Sequence, residues 1–138
     1  HDMLRNEIGR KVIIILTDGV DQGSKETLDS ALEYAQKSDV VVYSILVEDR
    51  SFDQGFSNGE SVLNKLSKQT GGDVIRATRD KDLAVAFQQI ANELRTQYLL
   101  GYTPTNTAHN GAFRKIEVKL RDGNYRVQAR RGYYAPAG

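Results

Sequence analysis

Over its first two thirds the chain alternates continuous apolar runs with amphipathic helical stripes. Val12–Leu16 and Val40–Val47 are nearly unbroken runs of β-branched and leucine side chains, the pattern of strands buried on both faces of a parallel sheet. A shorter strand is predicted over Asp73–Ala77, and each strand is followed by a segment with the apolar period of a helix. The pattern therefore predicts three strand–helix units joined by right-handed crossovers.

Capping and stop signals set the expected helix boundaries. The first helix is predicted from about Lys25 to Lys37, with Ser24 as its N-cap and Asp39 at its end. In the second helix, Ser57 has capping-box spacing with a glutamate, and a Gly-Gly pair stops the helix. The predicted inward side chains of that helix are Val62, Leu63 and Leu66. The third helix begins at Asp80 or Asp82 and presents a stripe of Leu83, Phe87, Ile90, Ala91 and Leu94.

The last third of the chain changes to a period of two. Tyr98–Tyr102 is predicted as a strand ended by Thr103-Pro104, and the alternating segments Ile116–Leu120 and Tyr125–Ala129 are predicted to be joined by an Asp-Gly-Asn turn. The expected fold class is α/β. We expect a partial Rossmann-like arrangement of three parallel strands alternating with three helices, followed by a small antiparallel β extension.

Composition excludes several classes of function. The chain has 138 residues, 39% hydrophobic and 27% charged, with no apolar run long enough to cross a membrane. A formal net charge of +1 argues against general nucleic-acid binding, and the lack of cysteine excludes disulfides and thiolate metal sites.

Charge is nevertheless unevenly distributed along the chain. Residues 1–112 contain 12 basic and 16 acidic side chains, whereas residues 113–138 contain 7 basic and 2 acidic ones. Two interpretations remain open: solvated surfaces of opposite sign, or a basic sheet face that meets an acidic partner or wall. The five tyrosines of the last third are likewise open to two interpretations, as a partner patch or as packing of the antiparallel sheet onto the helices.

Asp18 is the main candidate for chemistry. It follows the Val12–Leu16 strand, and open α/β sheets bind their ligands at the carboxyl ends of the strands. A carboxylate is a hard oxygen ligand suited to Mg²⁺, Mn²⁺ or Ca²⁺. The alternative is an ordinary turn aspartate, because Asp-Gly is favoured in turns for local reasons.

Several segments resemble a known family. The phrase Ile15–Gly19, with the three strand–helix units, resembles the second half of a von Willebrand factor type A domain. Gln97–Tyr102, Phe113–Val118 and Arg131–Pro136 look like the C-terminal extension of the bacterial VWFA-related branch of that family. We expect residues 1–9 to be a tag or leader. The resemblance implies that 10–96 are the C-terminal half of the domain and 97–138 its β extension.

The resemblance implies a metal-ion-dependent adhesion site. Asp18 matches the family's last metal-site aspartate, and Asp21 in the same loop is a weaker candidate, as a residue that supports the metal ligands without binding the cation. The remaining rim candidates are Thr17, Gly19, Glu48 and Asp49. The family's Asp-x-Ser-x-Ser loop is absent from this sequence, so we expect an incomplete site that holds a divalent cation weakly or not at all in this chain.

Two classes of function remain at this point. The first is a non-enzymatic, adhesion-type module that binds a protein partner through the partner's Asp or Glu. The alternative is a Mg²⁺-dependent phosphoryl-transfer enzyme of haloacid-dehalogenase or receiver-like type. The spacing of Asp18 and Asp21 does not match the Asp-x-Asp of the former, and no earlier strand supplies the acidic pair of the latter.

Two further expectations concern partners and location. Without a neighbour on one side, Val12–Leu16 becomes an apolar sheet edge, which predicts self-association through that edge or its coverage by the tail. No nucleic-acid partner and no membrane insertion are expected. The family resemblance implies an extracytoplasmic location.

Overall fold

In the part of the chain that the structure describes, a three-stranded parallel sheet with three helices forms the body of the protein. The computed structural model describes residue 9 and residues 11–18, 27–47 and 58–138. The strands lie in the order β1-β2-β3, and a separate two-stranded antiparallel sheet follows them in the chain. In chain order the elements of the body are β1 Lys11–Thr17, α1 Leu28–Lys37, β2 Val40–Val47, α2 Asn58–Thr70, β3 Val74–Ala77 and α3 Asp80–Arg95. The predicted α/β class with a small antiparallel extension is confirmed.

The ends of α1 show how local side chains set helix boundaries. Thr27, not Ser24, is the N-cap, because its hydroxyl accepts a hydrogen bond from the Ser30 backbone N–H at 3.1 Å. The predicted start at Lys25 is therefore wrong, and Ser24 itself lies outside the described residues. The predicted end is confirmed: Asp39 follows the helix with φ of 55°, a left-handed conformation that aspartate tolerates better than most side chains.

The core is built around β2. Tyr43 and Ile45 are fully buried on this strand, and Ala77, Ala86 and Ile90 pack with them from β3 and α3. All three helices pack against β2, which explains its burial on both faces.

Two apolar positions predicted to face inward are exposed. Phe87 on α3 is 45% exposed, and the inward side is taken instead by Ala86, which is 1% exposed. Val62 on α2 is 40% exposed, whereas Ser67 and Thr70 of the same helix are buried. The sequence pattern failed here because it assigns the inward face to the larger side chains.

Hydrogen bonds join α2 to β2 across this unexpectedly polar face. The hydroxyls of Ser44 and Ser67 lie 2.9 Å apart, and the Thr70 hydroxyl accepts a bond from the backbone N–H of Val42 at 3.0 Å. Buried hydroxyls that satisfy each other cost little free energy, and the small side chains let the helix approach the strand closely.

The strand β1 lies at the edge of the sheet. It pairs with β2 along its whole length, and no other strand in the described part of the chain pairs with it. Ile13, Ile14 and Leu16 are 38%, 39% and 54% exposed. The prediction of burial on both faces is wrong for this strand, while the expected apolar edge is present.

The antiparallel sheet is the base of a hairpin. Its strands are β4, Phe113–Lys115, and β5, Gly132–Tyr134. The bridge between Asn110 and Ala137 has the same register, and the Ile116 N–H continues it by donating to the Arg131 carbonyl at 2.8 Å. Regular pairing therefore lies nearer the base, and the predicted strands Ile116–Leu120 and Tyr125–Ala129 are wrong.

The predicted strand Tyr98–Tyr102 is wrong. These residues have no strand partner among the described residues, and Tyr98 and Leu99 are 92% and 89% exposed. An apolar run forms a strand only where a neighbouring strand can pair with it.

The returning arm of the hairpin crosses the amino rim of the parallel sheet, the edge where its strands begin. Alternate side chains contact the loops that precede β3 and β2. The Arg126 Nη2 lies 2.9 Å from Asp73 Oδ2, the Gln128 Nε2 donates to the Gly71 carbonyl at 3.2 Å, and Arg130 pairs with Asp39. Part of the basic tail therefore meets an acidic wall within the same molecule.

Glycine is required where the arm passes closest. Gly71 has φ of +94°, and a Cβ at this residue would lie 2.8 Å from the Arg130 nitrogen. A side chain at position 71 would therefore strain its own backbone and push the arm off the rim.

Candidate functional site

Asp18 lies at the carboxyl rim of the parallel sheet, the edge where its strands end. It directly follows β1, whose last residue, Thr17, is in register with Leu46 of β2, and Val47 is in turn in register with Ala77 of β3. Asp18 is exposed and Thr17 is half-buried. The structure thus places this carboxylate at the ligand-binding edge expected for an open α/β sheet.

The other predicted site residues lie outside the described residues. They are Gly19, Asp21, Glu48 and Asp49. The supporting role of Asp21 and the rim contacts of the other three residues stay predictions. Of the predicted set, the structure describes only Thr17 and Asp18.

The end of β3 brings a second group of polar side chains to the same rim. The Thr78 hydroxyl donates to Asp82 Oδ2 at 2.9 Å, and Arg79 Nε donates to the same oxygen at 3.3 Å. The hydrogen bond from Thr78, followed by the contact with Arg79, lowers the pKa of the Asp82 carboxyl. The helix α3 begins at Asp80, one of the two predicted starts, and Asp82 in its first turn bonds back to the two residues that precede the helix.

The described residues do not by themselves form a cation site. Within 11–18, 27–47 and 58–138, no three Asp, Glu or His side chains come close enough to hold a metal ion together. Hard cations take about six or more oxygen ligands in proteins, and Asp18 contributes a single carboxylate. The described donor set alone therefore does not make a coordination shell.

The amino rim carries the contacts that sequence reasoning missed. The Gln128 Nε2 lies 3.3 Å from the Tyr43 hydroxyl and 3.2 Å from Glu93 Oε2, so one amide links the hairpin to β2 and α3. The net charge of residues 113–138 was a signal for such contacts, but it did not identify the acidic partners. Asp39, Asp73 and Glu93 are dispersed along the chain and become neighbours only in the fold.

Comparison with known proteins identifies a fold and no family. No protein-family model matches the sequence, and no curated protein matches it either. A crystal structure of an uncharacterized membrane spanning protein from Vibrio fischeri is similar, with a TM-score of 0.51 and 24% sequence identity. The match covers 62% of this chain and 48% of that one, about half the length of the solved chain.

A likeness at this level of identity supports the fold alone. In the part of this protein that the structure describes, no helix has both the length and the apolar character needed to cross a bilayer.

Proposed function

We propose that this chain is a non-enzymatic, protein-binding module of the von Willebrand factor type A kind, with only part of its metal-ion-dependent adhesion site. The observation that carries the proposal is the position of Asp18, directly after a parallel strand at the carboxyl rim. The α/β fold and the tail segments that resemble the VWFA-related branch support it. The extracytoplasmic location implied by the same resemblance remains part of the proposal.

In this proposal Asp18 is a protein ligand of a divalent cation, Mg²⁺, Mn²⁺ or Ca²⁺. When bound, such a cation leaves a coordination position that an Asp or Glu of a partner protein fills. Thr17 supports the loop, Asp21 orients the site from outside the first ligand shell, and Gly19, Glu48 and Asp49 contact the partner around it. Because the sequence lacks the family's Asp-x-Ser-x-Ser loop, binding of the cation to this chain alone is expected to be weak.

The first test is titration of the isotope-labelled chain with Mn²⁺, which broadens amide signals close to it even when binding is weak. We expect the amides of Thr17 and Asp18 to broaden first, and EDTA to restore them. Asp18→Asn should abolish this local effect because it removes the charged ligand. Asp122→Asn, at the exposed hairpin turn, is the matched control and should leave the effect intact.

The second arm adds a short glutamate-containing peptide in the presence of Mg²⁺. We expect shift changes around Thr17 and Asp18 that EDTA or Asp18→Asn removes. Peptide binding at this rim that is independent of metal would reject the mechanism. Hydrolysis of p-nitrophenyl phosphate that needs both Mg²⁺ and Asp18 would replace it with the phosphoryl-transfer alternative.

The edge strand β1 supports a second element of the proposal, self-association. Its apolar side chains are partly exposed, and it contains no proline and no charge between Lys11 and Thr17. Edge strands with these properties pair readily with another copy of the same strand. We therefore propose that two copies associate through β1.

A further inference from the structure

A basic groove lies between the C-terminal half of α2 and the hairpin. Its volume is about 810 Å³. From α2 it is lined by Asn64, Lys65, Lys68 and Gln69, and from the hairpin by Phe113, Lys115 and Arg131. The Arg131 backbone N–H donates to the Gln69 carbonyl at 3.0 Å, which fixes the two walls relative to each other.

Of the four cations that line the groove, Lys65 pairs with Asp29 at 3.3 Å, and three cations of the hairpin outside the groove are also paired. Arg126, Arg130 and Lys119 pair with Asp73, Asp39 and Glu117. Lys68, Lys115 and Arg131 are exposed and form no ion pair within the part of the chain that the structure describes. Three uncompensated positive charges on two facing walls repel each other, so an anionic ligand placed between them is favoured.

We propose that the basic groove binds an acidic, extended segment of a partner polypeptide. Its cations are spread over two walls, which suits several separate carboxylates. The ring of Phe113, 47% exposed, offers an apolar surface, and the amides of Asn64 and Gln69 can bond to a peptide backbone. A compact phosphate is less suited, because the groove lies at the negative end of the α2 dipole and not at a helix N-terminus.

The groove is separate from the carboxyl rim. The helix α2 ends at Thr70, and β3 begins at Val74, so the C-terminal half of α2 lies towards the amino rim. Asp18 lies at the opposite end of the strands. Failure of the groove proposal would therefore leave the proposed cation site untouched, and the reverse also holds.

The test is fluorescence anisotropy with a labelled hexaglutamate peptide. We expect saturable binding that weakens at least tenfold in the double variant Lys68→Glu/Lys115→Glu, whereas Lys68→Arg/Lys115→Arg keeps it. The control is Lys81→Glu/Arg121→Glu, which changes the net charge equally at exposed positions that do not line the groove. Circular dichroism checks that each variant is folded.

Three outcomes overturn the proposal. The first is a wild-type chain that does not bind the peptide, and the second is equal loss of binding in the control variant, which would indicate net charge alone. The third is groove-dependent binding of a labelled oligothymidylate that is tighter than binding of the peptide. That result would assign the groove to a nucleic acid.

Discussion

The strands β1 and β2 have nearly the same apolar composition and very different environments. On β2, Tyr43 and Ile45 are completely buried, whereas on β1 Ile14 is 39% and Leu16 is 54% exposed. The two strands are paired residue by residue, so neither composition nor backbone geometry explains the difference. Burial follows from neighbours: β2 has a strand on each side and contacts all three helices.

The largest expected effect on stability is that of truncating a buried isoleucine on β2, compared with the same truncation on β1. Ile45→Ala leaves a cavity in the core and should lower the free energy of unfolding by about 3 kcal/mol. Ile14→Ala removes a side chain that is already partly in water and should cost about 1 kcal/mol. Urea unfolding followed by circular dichroism measures both. Equal losses in dilute, monomeric protein would contradict the partial exposure of Ile14 on β1.

The next effect in size is a pH dependence of the free energy of unfolding, which arises from Tyr43 on β2. Burial, followed by the charge of the nearby Glu93, raises the pKa of Tyr43 to about 12, compared with about 10 in an unfolded chain. The folded state therefore keeps a proton that the unfolded state loses. The stability that this proton contributes is complete below pH 10 and is lost as the pH rises towards 12.

Urea unfolding between about pH 9 and pH 12 measures this dependence. Tyr43→Phe should unfold with a flatter pH profile than the wild type over this range, because it has no hydroxyl to titrate at that position. Identical slopes in the two proteins would contradict the assignment to Tyr43.

A charge placed on the edge strand β1 is expected to have the smallest effect on stability and the clearest effect on self-association. Ile14→Lys should change the free energy of unfolding of the monomer by about 1 kcal/mol or less, because the side chain can reach water. It should abolish pairing through β1, since an edge lysine opposes strand addition. Val85→Lys on α3, 65% exposed, is the matched control.

Light scattering coupled to size exclusion measures the mass of each variant. A dimer in the wild type and in Val85→Lys, but a monomer in Ile14→Lys, is the expected result. A wild-type chain that stays monomeric at millimolar concentration contradicts the proposed self-association.

The elements predicted correctly are those determined by local signals. The bounds of β2 match the apolar run Val40–Val47, and the change of period near Thr96 marks the end of α3. The start of α1 was placed too early because Ser24 and Thr27 are both good caps, and the sequence does not rank them. The inward face of α2 was misjudged because Ser67 and Thr70 are buried as hydrogen-bonding partners of β2.

The position of the C-terminal hairpin depends on contacts that sequence patterns do not reveal. Its turn is local, and Asp122 Oδ1 accepts a bond from the Asn124 N–H at 3.1 Å as the Asp-Gly-Asn motif suggests. Its position is set by pairs such as Arg130 with Asp39, which no periodicity reveals. For the candidate site, the sequence placed Asp18 correctly at the carboxyl rim, and its partners there remain predictions.

The arm across the amino rim has a consequence for synthesis of the protein on the ribosome. Its side-chain bonds to Asp73, Tyr43 and Asp39 join residues that are 53, 85 and 91 positions apart in the chain. Contacts of such sequence separation form late in folding because long loops must close first. In a nascent chain the amino rim therefore lacks these contacts until residues 126–130 leave the exit tunnel. Chaperones have the longest access to the chain at this rim.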